Sequence, residues 1–395
     1  MTSRVSLLDR ASILPLAQSL ISIPSVSGDE LAVMRWVEAW AIEQGIGVQI
    51  IATDELRPNL ILSIGDPATG PTIAMNGHLD TVPISDPDAW NTGPFDPVIS
   101  EDGAKLFGRG ASDMKASVGV MLAVMSAFRN APLNGCLQAH VVSDEELSGH
   151  FGTIAVLDAI ADGTLARPDY CLIGEKSDLK VRNAERGILQ MTVTVQGRAS
   201  HTAAARATGI NAIALAARAV LALENDLDKF HPAIGKPVIS INTISGGVAH
   251  NVVPGECTFT IDRRLIPGET KDSVVAEVVA ALEGVKADEP RFRYTLDIDP
   301  EGDFIDANIT EAESPLVQAV WNATREVLGR EPEYFVAWAG ATDGRYYRKA
   351  GIDTVGLGPG GENAHGANEA VYVDDLVQQA HIYARTIESL LIPGS

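Results

Sequence analysis

Six acidic or imidazole side chains stand where short apolar runs give way to charged residues, and their types suit metal chemistry. In TIAMNGHLDTVP, His78 and Asp80 follow a strand-like run. An imidazole two residues ahead of a carboxylate fits a metal ligand whose ring the acid orients. GRGASDMKAS puts Asp113 in a glycine-rich turn ahead of a helical stretch, where an aspartate also serves as a helix N-cap. VVSDEELSG sets Asp144, Glu145 and Glu146 side by side. Three adjacent acids repel one another unless a cation sits among them or water surrounds them, and the apolar AHVV before them argues for a dry cluster. CLIGEKSD ends on Glu175, and GPGGENAHGANEAV holds His365. Two imidazoles and four of these carboxylates suit a pair of borderline divalent ions such as zinc. The chain contains no GxxxxGK[ST], no GxGxxG after a first strand and no GxSxG, so nucleotide binding and serine-nucleophile chemistry have no support.

The elements that must position these residues follow from periodicity. Helices are expected over 8–22 and 29–44, the second opened by the N-cap signal SGDE at 27–30. Strands are expected at 47–52, 59–64, 72–75, 136–142 and 169–173, with helices at 114–129 and up to about 161. Strands alternating with helices predict an α/β layer around a mostly parallel sheet. The texture changes near 183. GILQMTVTVQG alternates as a half-exposed strand, and a β-α-β-β-α-β order runs to about 298, which suits a ferredoxin-like α+β unit. The α/β texture returns after about 300 and ends in a helix at 373–391. The expected organisation is a catalytic domain of 1–183 and 300–395 with an inserted domain of 184–299.

Composition removes other classes. The chain has 395 residues, 46% hydrophobic and 21% charged, as a folded globular protein does. Thirty Lys and Arg against 52 Asp and Glu give a net charge of −22, which repels nucleic acid and anionic membrane. The run from Ala116 to Phe128 is too short to span a bilayer. Cys136, Cys171 and Cys257 are odd in number and far apart, giving no disulfide framework. A cytoplasmic location is the expectation. His140 mid-strand and Cys171 are expected in the core; His150, His231 and His381 are expected as surface or capping residues.

These stretches resemble the dinuclear-zinc amidohydrolase and peptidase family of acetylornithine deacetylase, succinyl-diaminopimelate desuccinylase, aminoacylases and glutamate carboxypeptidase. NGHLDTVP, GRGASDMK, SDEE, the Gly-Glu at 174–175, RGILQMTVTVQGRASH, ISGGVAHNVVPGECTFTIDRR, GATDGRYY and GPGGENAHGANEAV occur in the family's order over about residues 20–375. The resemblance implies two Zn2+ per subunit, with Co2+ or Mn2+ as substitutes. His78, Asp113 and Glu175 would hold one, and Asp113, Glu146 and His365 the other. It implies Glu145 as general acid/base and Asp80 as the partner of His78. The inserted domain would act as a lid and dimer interface in a homodimer, with His201 reaching the neighbouring subunit's site. Arg186, Asn251, Arg264 and Thr342 would touch substrate. Two departures stand out: Lys176 replaces the usual Pro after Glu175, and HTAAARATG lacks the Pro usual after the ASH histidine.

The implied reaction is hydrolysis of a small amide by a zinc-bridged hydroxide. Zinc lowers the pKa of bound water from about 15.7 to roughly 7, and Glu145 would ferry its proton to the leaving nitrogen. TDGR at 342–345 and the spacing of DEELSGHFGT resemble the desuccinylase and deacetylase branch more than the dipeptidase branch, which implies an N-acyl amino acid deacylase. A metallo-carboxypeptidase or dipeptidase is the alternative, and a catalytically silent binding protein the last.

Overall fold

The computed structural model describes residues 3–147, 149–298, 304–335 and 341–392. The chain divides into two compact units: residues 1–183, 310–335 and 342–395 form the first, and residues 184–309 form the second. The second unit extends past residue 300 because Asn308–Ile309 pairs antiparallel with Ala184–Glu185.

The first unit is built on a six-stranded sheet in the order Gly47–Ile51, Asn59–Gly65, Cys136–Val142, Thr72–His78, Tyr170–Ile173, Asp353–Gly356. The last four strands pair in parallel, and the first two join antiparallel. Every residue of Thr72–His78 and Cys136–Val142 is buried; strands covered on both faces read as continuous apolar runs, as these do. The helix Lys115–Phe128 is buried on almost every side, which places it in a core rather than at a surface. It packs against Arg10–Ser22, Val373–Leu391 and the strand Thr72–His78. A small antiparallel sheet of Val98–Ile99, Lys105–Phe107, Ala370–Tyr372 and Gly361–Glu362 ties the segment around residue 365 to the segment before residue 109.

The second unit is a four-stranded antiparallel sheet in the order Val238–Gly246, Glu256–Leu265, Gly187–Gln196, Arg293–Ile298, carrying the helices Ala212–Leu223 and Lys271–Asp288. This is the ferredoxin-like β-α-β-β-α-β arrangement. Leu189, Met191, Val193 and Val195 alternate onto one face and share a core with Ala216, Ala219, Val278 and Leu282.

The expected N-cap at 27–30 is not made as such. The helix begins at Leu31 after Glu30, with no side-chain cap. The Ser27 hydroxyl donates instead to Asp80 Oδ2 at 2.8 Å, so this serine is drawn to a long-range acceptor. Among the described residues, no helix is long and apolar enough to cross a membrane. All three cysteines are free and buried. His381 Nε2 donates to the Leu8 carbonyl, and His231 Nδ1 accepts from the Ala233 N–H.

Two stability predictions follow from the first unit's core. A Cβ on Gly119 would lie 2.8 Å from Ala17 N and 2.9 Å from its Cα, so the helix crossing depends on a missing side chain. Exchanging a helical glycine for alanine ordinarily gains about 1 kcal/mol; here Gly119→Ala is expected to lose about 1–3 kcal/mol in urea unfolding through overpacking. Buried His140 donates from Nε2 to Gln138 Oε1 at 3.0 Å and accepts the Tyr347 hydroxyl on Nδ1 at 2.7 Å. Burial pushes its pKa down to about 3. The unfolded chain therefore takes up this proton first, and stability falls as the pH drops from about 6.5 toward that value. Unfolding free energies measured across this window should show a shallower acid slope in His140→Asn than in the parent.

Candidate metal centre

The C-terminal ends of three neighbouring parallel strands supply the centre of the site. His78 is the last residue of its strand, Glu145 and Glu146 form a short turn after Cys136–Val142, and Glu175 follows Tyr170–Ile173. Open α/β sheets bind ligands at such carboxyl ends. Asp113 comes from the turn ahead of the helix Lys115–Phe128, and a cis peptide joins it to Met114. His365 sits at φ 64° in the 363–368 loop.

Asp113 lies between two groups. Its Oδ1 is 3.1 Å from His78 Nε2, which is also 3.4 Å from Glu175 Oε1. Its Oδ2 is 3.1 Å from His365 Nε2, which is also 3.1 Å from Glu146 Oε1. One carboxylate thus spends each oxygen on a different imidazole, and each imidazole meets a second carboxylate. Glu145 is close enough to matter: it can offer an oxygen within 4.8 Å of donor atoms on His78 and Glu175.

Asp80 organises both halves. His78 Nδ1 donates to the Asp80 carbonyl at 3.0 Å, with the carboxylate Oδ1 at 3.3 Å, so the ring is held by the main chain as well as by the acid. This leaves Nε2 aimed at Asp113, the nitrogen a metal would take once its proton is displaced. The same carboxylate accepts the N–H groups of Glu145 and Glu146, each at 3.1 Å. Asp144, at φ 64°, takes Arg57 Nη1 at 2.9 Å and the Phe151 N–H at 3.0 Å. Of the three adjacent acids, one therefore shapes the turn and two face the centre.

Burial opposes charge on His78, yet Asp113, Asp80 and Glu175 outweigh it and hold its pKa well above the usual range. The carboxylates of Asp113 and Glu146 beside its ring carry the pKa of His365 up to about 10. Burial also raises Glu145, and the negative charges of Glu175, Asp343 and Asp113 raise it further. Among the described residues Glu146 Oε1 is buried without a hydrogen-bond partner, with His365 Nε2 3.1 Å away as an ion-pair contact. A cation on these atoms would satisfy that orphaned oxygen, displace the protons from the rings and offset the carboxylate repulsion. Nitrogen and oxygen donors from His, Asp and Glu match a zinc-like divalent ion, so the residues fit two such ions.

The remaining sequence candidates fall in two places. Thr342 is buried in the first unit, where its hydroxyl accepts the Gly344 N–H at 3.1 Å. His201 is exposed on the second unit; its strand pairs with Val252, and the Asn251 carbonyl accepts the Thr202 N–H at 3.0 Å. Arg186 donates to the carbonyls of Ile234 and Lys236, while Arg264 forks onto Asp262 at 2.7 and 3.1 Å.

Three buried groups escaped the sequence reading. Glu369 accepts the N–H groups of Gly110, Ser112 and Asp113 and forms a 2.6 Å ion pair with Arg109. Lys115 donates to the carbonyls of Leu20 and Ile23 at 3.1 and 2.6 Å, tying the Asp113 turn to the first helix. Asp343 accepts the Thr153 hydroxyl at 2.6 Å, and burial carries its pKa up to about 6. Their neighbours in sequence, GRG, DMK, NEA and TDG, are the signal that could have singled them out.

This fold is shared with known proteins. Aminopeptidase PepT from Bacillus cereus matches with a TM-score of 0.77 at 18% identity over 97% of this chain and 99% of that one. The YXEP protein of Bacillus subtilis, described as a dinuclear metal-binding peptidase from the M20 family, matches at 0.70 and 19% identity, over 96% and 97%. Human carnosine dipeptidase 1 matches at 0.69 and 17% identity, over 96% of each chain. The sequence model of peptidase family M20/M25/M40 matches residues 74–389, a span that takes in every proposed ligand from His78 to His365. The chain belongs to this peptidase family, whose members are hydrolases.

Proposed function

We propose that this chain is a zinc-dependent amidohydrolase that cleaves the amide bond of an N-acyl amino acid or related small amide. The observation that carries the reading is Asp113, whose two oxygens serve two imidazoles that each have a carboxylate of their own. His78, Asp113 and Glu175 would hold one Zn2+, and Asp113, Glu146 and His365 the other, with Co2+ or Mn2+ as substitutes. Bound there, such ions polarise a carbonyl and acidify water.

The chain's own residues supply the rest. Glu145 is raised in pKa by burial and by neighbouring acids, as suits a group that must accept a proton and release it again. It would take the proton from the attacking water and deliver it to the leaving nitrogen. Glu146 is its neighbour in sequence yet faces His365, so adjacent acids divide the work. Asp80 keeps the His78 ring in its ligand tautomer. The second unit would serve as lid and dimer interface in a cytoplasmic homodimer, where the partner's copy of His201 donates to the developing oxyanion. Such a donor is worth about 2.7–4 kcal/mol elsewhere. Arg186, Asn251, Arg264 and Thr342 would position the substrate's carboxylate or amide.

A second reading has its own support: similar structures include a dipeptidase from Saccharomyces cerevisiae and a metallo-carboxypeptidase from Sulfolobus solfataricus. Release of a C-terminal amino acid from a dipeptide uses the same bond chemistry. Ranking kcat/KM of the zinc-loaded protein over N-acetyl, N-succinyl, N-formyl and N-carbamoyl amino acids and over dipeptides separates the two. A blocked amino acid should lead; a dipeptide in front would favour the peptidase, and no turnover on any would reject both.

Two variants test the roles. Glu145→Gln should keep two metal ions per chain by elemental analysis while kcat falls by about 10²–10⁴-fold; loss of an ion would make Glu145 a ligand instead. His201→Ala should lower kcat without loss of metal. Hetero-dimers of His201→Ala with Glu145→Gln subunits should regain activity, because one of the two sites then has both groups intact. Hetero-dimers without any regain would place His201 in its own subunit's site.

A further inference from the structure

Arg109 and Glu369 form a buried ion pair, 2.6 Å apart, between segments 260 residues apart in sequence. A buried ion pair is often no more stabilising than apolar side chains of the same size, so its worth here lies in the position it imposes. Glu369 faces one way, toward the turn that ends in Asp113. Its Oε1 accepts the N–H groups of Ser112 at 2.9 Å and Asp113 at 3.1 Å, and its Oε2 accepts that of Gly110 at 3.1 Å. Arg109 faces the other way. Its Nη2 donates to the main-chain carbonyl of His365 at 3.2 Å, and its guanidinium lies 5.5 Å from the centre of the Trp90 ring. Each member therefore grips the loop of the other: the Asp113 turn hangs on an acid from the 365–369 segment, and His365 hangs on a base from the Asp113 turn.

The two halves of the centre do not need this pair equally. His78 and Glu175 are placed by adjacent strands of the main sheet, and Asp80 fixes the His78 ring. His365 has no such strand. Its side chain is 51% exposed, and its ring nitrogen meets Asp113 and Glu146 alone among the described side chains.

We infer that Arg109 and Glu369 are positioning residues that set the separation of Asp113 and His365, and so tune the affinity of the His365-side metal ion selectively. The inference rests on the two-ion reading of the site. Partners of this kind around a metal are worth about 10–100-fold in affinity.

The test is calorimetric titration of the metal-free chain with Zn2+, alongside Co2+ titration followed by its absorption bands. Glu369→Gln keeps the shape and loses the charge; Arg109→Lys keeps the charge but lacks the fork that reaches both Glu369 and the His365 carbonyl. Each should bind a first ion as the parent does and a second about 10–100-fold more weakly. In the His365→Ala background, Glu369→Gln should weaken binding no further. Affinities unchanged in both variants, or both ions weakened by the same factor alongside a lower Tm, would overturn the positioning role. If Glu369→Gln fails to fold, Arg109→Lys alone decides. A parent chain that binds fewer than two ions would instead overturn the two-ion reading on which the inference stands.

Discussion

The placement of one carboxylate between two imidazoles governs the rest of this structure. Asp113 is only 14% exposed, and within 3.1 Å it meets nitrogen atoms from residues 35 positions before it and 252 after it. Burying several acids together is costly unless cations share the space, so the surroundings must hold the groups in place against their own repulsion. The helix that follows Asp113 is almost wholly enclosed, Lys115 pins its start to the end of the first helix, and Glu369 takes the turn's N–H groups. The helix, Lys115 and Glu369 together hold the turn that carries this side chain.

The main sheet supplies the convergence. Neighbouring strands lie about 4.8 Å apart, so three adjacent parallel strands deliver His78, the Glu145–Glu146 turn and Glu175 to one small region without further design. His365 is the exception, carried by a loop that the small sheet and the Arg109–Glu369 pair bring back to the Asp113 turn. A rigid half and a tethered half are thus joined through Asp113, which gives the two proposed metal positions different mechanical origins.

Much of this was legible before the fold was known. The strand 136–142 and the helix 373–391 match their sequence patterns to the residue, because apolar periodicity follows directly from which face is buried. The six candidate side chains stood out because polar groups at the ends of buried strands have few bland explanations. What the sequence could not convey were partnerships across long separations. Ser27 looked like a local helix cap and is instead a donor to Asp80. Glu369, four residues from His365, looked like one more acid in an acidic chain, and only folding brings it to Arg109. Asp144 was indistinguishable by type from Glu145 and Glu146, and its left-handed backbone separates it from them.

The most direct test is anomalous scattering at the zinc edge from crystals of the zinc-loaded protein. The account predicts two peaks on either side of Asp113, one against His78 and Glu175 and one against Glu146 and His365, with Glu145 bound to neither. A single peak, or an ion coordinated by Glu145 in place of Glu175 or Glu146, would contradict it.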